Sequence, residues 1–295
     1  MRIFSLLRWP QIQAAKLSVI LLSLGALLLF LFFFLFGFFV SFPDTVLQNR
    51  VLAEINRQLP AGNRFEARGV SLGFPLRMEF DQARLIMDSA PLPELTLSQL
   101  SFSPSLATFI GNPGLSIYAE SEFGSLNGTI SRSTEVSLHL RDGKFDLPIQ
   151  GISDVQVGGV ITSVDLVGQI DAGKEDTLRF EAVIKRLFLT GADKFGLGQS
   201  ELPLGDLNVG VAGVGRSLAI EQLSLDGGAI ALTGSGKILV QAPFDASRLD
   251  LKLSLRPEAS ADAGLRTLLE LLGPKERDGS HTLQLRGRLL TPQLK

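Results

Sequence analysis

Few residues in this 295-residue chain combine type and spacing in a way that could do chemistry. Gly69-Val70-Ser71-Leu72-Gly73 fits the G-x-S-x-G pattern of a nucleophile elbow. That elbow needs its serine on a strand-to-helix turn, with an acid and then a histidine later in the chain. Here Val70, Leu72 and Phe74 alternate as in a strand, and Pro75 stops a helix from starting, so Ser71 is expected on a strand. The two histidines, His139 in mid-strand and His281 beside Ser280 at a strand start, have no second His or Cys at metal-ligand spacing. With no cysteine, thiolate metal sites and disulfides are excluded. Gly236-Lys237 and Gly173-Lys174 lack the upstream glycine spacing and the Ser/Thr of a phosphate loop. Gly210, Gly213 and Gly215 reverse the dinucleotide spacing and precede no helix. Asn127-Gly128-Thr129 is a formal glycosylation sequon inside a strand pattern. Carboxylates are scattered, so no acid–base pair emerges. The expectation is a non-enzymatic protein that holds no cofactor and no metal.

The elements carry more information than the motifs. Leu17 to Val40 contains no charged side chain and is thick with Leu and Phe, long enough as a helix to cross a bilayer core of about 30 Å. Leu17, Leu24, Phe30, Phe36 and Val40 mark this expected transmembrane helix. Arg2, Arg8 and Lys16 precede it and no acid appears before Asp44, so residues 1–16 are expected in the cytoplasm and the bulk beyond the membrane. A cleaved signal peptide fits less well, because the apolar run is too long and no small-residue cleavage site follows. The chain has 28 Lys+Arg and 30 Asp+Glu; with those three bases removed, 25 − 30 leaves −5 for the remainder. That balance gives no electrostatic footprint for nucleic acid.

Residues 43–60 predict an amphipathic linker helix. Leu47, Val51, Ile55 and Leu59 share a face, Asp44 or Thr45 can cap it, and Pro60-Ala61-Gly62 ends it. Residues 63–295 then change to period two. Met78 and Phe80, Ile117 and Ala119, Val136 and Leu138, and Leu166 and Ile170 belong to alternating runs, and the series Leu249, Leu251, Leu253, Leu255 is the cleanest. One apolar and one polar face per strand predicts a mostly antiparallel sheet. Asp142-Gly143 and Asp226-Gly227-Gly228 predict hairpin turns, and Asn112-Pro113-Gly114 opens a strand. A Leu-rich helix is expected over 260–272, ended by Gly273-Pro274, followed by one last strand from His281 to Leu289. Leu-x-Gly-x-Ile/Leu echoes at Gly128, Gly168 and Gly287. A glycine on an apolar face suits either a curved sheet whose inner face takes a ligand or ordinary bending over a packed core.

The expected fold class is therefore all-β with an N-terminal transmembrane helix: a curved, mostly antiparallel sheet, half-pipe or taco-like, with one short amphipathic helix at each end. The apolar face is wide, and only one convincing helix is available to cover it. Such a sheet must fold on itself, pair with a partner or bind lipid. Leu166, Ile170, Ile230, Leu232, Leu249, Leu251, Leu253, Leu255, Leu283 and Leu285 are the candidate groove-lining residues.

Taken in order, the apolar N-terminus, the opening Gly62-Asn63-Arg64-Phe65…Gly69-Val70-Ser71-Leu72-Gly73-Phe74-Pro75-Leu76 and the closing Leu285-Arg286-Gly287-Arg288-Leu289-Leu290-Thr291-Pro292 resemble GspN, a type II secretion system family. They are also similar to the broader AsmA-like group of envelope proteins. The resemblance covers most of the chain in layout through short motifs. It implies a single-pass bacterial inner-membrane protein with its bulk in the periplasm. For GspN it implies a non-enzymatic component of the type II protein secretion system, with other secretion-system subunits as partners. For the AsmA-like group it implies a β groove that binds or transfers phospholipid acyl chains. Neither family brings a catalytic motif.

Overall fold

The computed structural model describes residues 44–59, 62–73, 77–87, 94–105, 108, 111, 113–132, 134–149, 154–169, 176–241, 246–273, 275–289 and 291–294. The chain divides into two units, Met1–Val51 and Leu52–Lys295. Of the first, only the start of helix α1 (Asp44–Gln58) is described. In the second, Asn56 on the last turns of α1 donates from its amide to the Phe65 carbonyl (2.8 Å) and accepts from the Phe65 N–H (2.7 Å). A side-chain amide thus takes the place of a neighbouring strand at that edge.

The rest of the second unit is one antiparallel sheet of fourteen strands in sequence order. They are β1 (Asn63–Gly73), β2 (Arg77–Met87), β3 (Glu94–Pro104), β4 (Gly114–Ser121), β5 (Gly124–Ser131), β6 (Glu135–Pro148), β7 (Gln156–Gln169), β8 (Thr177–Thr190), β9 (Glu201–Val214), β10 (Ser217–Gly227), β11 (Ile230–Leu239), β12 (Arg248–Pro257), β13 (His281–Arg288) and β14 (Thr291–Leu294). β1 and β14 do not pair, so the sheet is open. Helix α2 (Ala263–Leu272) packs on β12 and β13. Asp262 caps it, accepting from Leu265 N–H (2.7 Å) and from Gly198 N–H (2.9 Å), and those two bonds hold its carboxyl below the usual range. Leu265 and Leu269 are buried, while Leu271 and Leu272 are exposed.

The fold class is corrected on one element. The expected transmembrane helix, with Leu17, Leu24, Phe30, Phe36 and Val40, lies outside the described residues. Among the described residues no helix is long and apolar enough to cross a membrane. What stands is an all-β open sheet with two short helices, and a single-pass location draws no support from any described helix.

Two local expectations also change. Arg141-Asp142-Gly143-Lys144 makes no hairpin, because β6 runs straight through it. Asp142 sits at φ 55°, and the apolar phase passes from Leu138 and Leu140 to Phe145 and Leu147. β7 shifts register between Ile161 and Ser163, β8 has Arg186 at φ 52°, and β9 has Gly205 at φ 92°. These irregularities follow one another across four strands of fourteen residues each. Each inserts a residue that keeps the apolar set on one face and bends the sheet locally. At the C-terminal end, β13 is not the last strand; β14 pairs back on it from Leu285↔Leu294 to Arg288↔Thr291.

Candidate functional site

The register places apolar residues in rows that cross the whole sheet. One row passes through Leu72, Met78, Phe102, Ile117, Gly128, Leu138 and Leu166 on β1 to β7. It continues through Phe180, Val211, Ile220, Gly236, Leu251, Leu285 and Leu294 on β8 to β14. No polar side chain interrupts it. A second row runs beside it from Val70 through Phe80, Leu100, Ala119, Leu126, Leu140, Val164 and Ala182 to Val209 and Leu223. Two-residue periodicity in each strand and antiparallel registry between strands combine to make one greasy surface.

Glycines in and beside these rows shape the floor. A methyl built on Gly128 would come within 2.5 Å of Leu138 Cδ2, and one on Gly234 within 2.6 Å of Leu223 Cδ2 and 2.8 Å of Leu253 Cδ2. The neighbouring leucines lie over the space each glycine leaves. At Gly236 and Gly213 a methyl would instead meet backbone, 2.2 Å from Asp250 O and from Ser217 O respectively.

The surface differs along its length. Leu251, Leu253 and Leu283 are buried in a cluster with Val211, Leu218 and Ile220, surrounded by Leu232, Leu249, Leu255 and Leu285. Ile230 packs instead on the cluster built by Leu202, Ala229, Ala261 and Leu265 at α2. In β3 to β7, Phe102, Ile117, Leu126, Leu138, Leu140 and Leu166 remain half-buried while Leu100 and Ala119 are buried, and among the described residues no helix packs on these strands. Of the expected lining residues, Leu166 alone lies in this uncovered stretch, and Ile170 falls outside the described residues. The uncovered leucines and phenylalanines of β3 to β6 were missed because their alternating runs are short. Only the register shows that they continue the row.

A 590 Å³ hollow lies at one end of the strands, with Val136, Gly168, Leu178 and Gly213 in its lining. A larger hollow, 860 Å³, lies past the bulges among Val160, Leu187, Phe188 and Pro203, with Lys144 and Arg186 beside them.

The opposite face is polar, and it holds a constellation with the geometry of acid–base chemistry. Ser137 Oγ lies 2.7 Å from His139 Nε2, and His139 Nδ1 lies 2.5 Å from Asp165 Oδ1. Arg141 grips the same carboxylate through Nη1 (3.0 Å) and Nη2 (2.6 Å). The Arg141 bonds, then the His139 bond, hold the Asp165 carboxyl below its usual range. Ser-x-His was visible in the sequence; Asp165 was not, because it reaches His139 only through the β6–β7 register. The arrangement orders His139. Acyl transfer would also need N–H donors converging on an oxyanion, and β6 lies between β5 and β7 with its backbone in the ladder. Ser71 sits within β1 opposite Glu79, and buried His281 bonds the Gly273 carbonyl at the end of α2 (2.9 Å). Among the described residues no cluster of His, Cys, Asp or Glu could hold a metal ion.

No protein-family model, curated protein or solved structure matches this chain.

Proposed function

We propose that the uncovered apolar face binds phospholipid acyl chains and that the protein is a non-enzymatic lipid-binding or lipid-transfer module of the AsmA-like kind. It works in the bacterial periplasm beside the inner membrane. The observation that carries this reading is the apolar row that crosses all fourteen strands without a polar side chain. At a strand spacing of about 4.8 Å the row is roughly 60 Å long, about twice the hydrocarbon thickness of a bilayer. It offers no hydrogen-bonding group, since interior strands have spent their backbone on each other. A partner that is itself featureless hydrocarbon fits such a surface, and each methylene withdrawn from water contributes about 0.8 kcal/mol.

A second reading, a component of the type II secretion apparatus, is favoured by the exposure of all four residues of β14. An edge of that kind accepts a strand from another subunit.

A pair of substitutions tests the first reading. Leu138→Asp, in the uncovered stretch, is expected to leave the melting transition nearly unchanged and to abolish capture of a fluorescent phospholipid. Leu253→Asp, in the packed cluster, is expected to destabilise by several kcal/mol, because it buries an unpaired carboxylate. If Leu138→Asp destabilises as much as Leu253→Asp, the face is a closed core and the reading fails.

A further inference from the structure

A second binding site is built on the polar face, independent of the acyl-chain reading. Ser103, Ser116, Thr129 and Ser137 pair in register across β3 to β6, forming a line of hydroxyls. Beside it runs a taller line, Ser101, Tyr118, Asn127 and His139. Between them lies a 420 Å³ hollow with Arg77 also in its lining, a volume within the range of small-molecule sites.

The state of these groups points to a ligand. Ser101 is 5% exposed, yet its hydroxyl has no hydrogen-bond partner among the described residues. Among the described residues no side-chain polar atom sealed from solvent lacks a partner, so this hydroxyl opens into the hollow. The side chains of Ser103, Ser116, Thr129 and Asn127 likewise bond to nothing else among the described residues. Hydroxyls and amides each donate and accept. The guanidinium groups nearby are already paired: Arg77 with Glu79 (2.6 Å) and Arg141 with Asp165, whose carboxylate also bonds the His139 ring. The Tyr118 hydroxyl bonds Glu120, which fixes the ring as a platform on the wall.

We propose that this trough binds a neutral oligosaccharide. Its hydroxyls recur at the strand spacing of about 4.8 Å, close to the length of one sugar ring, over four strands. A polyhydroxylated chain laid across the strands meets one hydroxyl per ring, and the Tyr118 face takes the apolar side of a ring. An anion finds no free cation there, and an acyl chain would strand the unpaired hydroxyls.

Calorimetric titration of the full chain with chitotriose and maltotriose tests this. Saturable binding to at least one is expected. Ser116→Leu, which fills the trough, and Asn127→Ala, which removes an amide without filling it, should each weaken binding about tenfold. Thr177→Leu, on the same face outside the hollow, should leave it unchanged. Vesicles containing a glycosylated lipid, run alongside, separate a glycolipid headgroup from a free glycan: binding that needs the vesicle supports the headgroup form of the same site. Three results overturn the proposal: no saturable heat with any sugar or vesicle, binding indifferent to both trough variants, or binding of a sulfated but not a neutral sugar.

Discussion

At the scale of single residues, the glycines decide how smooth the apolar face is. Gly128 and Gly236 occupy the same register row, and the sequence treats them alike. The structure separates them by what a methyl would meet: a flexible leucine tip at Gly128, the Asp250 carbonyl at Gly236. Gly128→Ala is expected to be near neutral in chemical denaturation, since lower unfolded-state entropy offsets a small leucine shift. Gly236→Ala should destabilise by about 1–3 kcal/mol, because the ladder itself must move. Equal effects would mean the face relaxes freely and the register row is not a rigid floor. The L-x-G-x-I echo was legible in the sequence, but what fills the space above each glycine depends on the neighbouring strand. His139 teaches the same lesson: its partner Asp165 is distant in sequence and adjacent only in register. Asn56, which holds Phe65 at the sheet's first strand, gave no periodic signal at all.

At the scale of elements, periodicity revealed most of the strands though not β14, the two described helices, and the Asp226-Gly227-Gly228 turn between β10 and β11. It misread Asp142-Gly143 because a change of apolar parity beside an Asp-Gly pair looks the same in a hairpin and in a bulge. The pairing partners decide, and they continue on both sides, with Arg141↔Ser163 followed by Gly143↔Ile161. Asp142 tolerates its positive φ as Asn and Asp do, whereas a β-branched residue does not. Asp142→Val should therefore lower stability by about 1–2 kcal/mol in thermal melts, and Asp142→Gly should match or exceed the parent. If valine is tolerated there, the bulge does not control the phase of β6.

At the scale of the whole molecule, the second unit is a single open sheet whose greasy face is packed at the β8–β13 end and uncovered by any described helix over β3–β7. The two-faced character of that sheet was legible, because each strand declares its own apolar side. Which strands stay uncovered was not, since it depends on where α2 lands, and it lands on β12 and β13. The candidate lining therefore moves from Leu251 and Leu253 toward Leu138 and Leu166. The direct measurement is photocrosslinking in cells from those two positions, with adducts identified by mass spectrometry. The account predicts phospholipid adducts at both Leu138 and Leu166 and none from Leu253. Intramolecular products alone would show a closed core and contradict it.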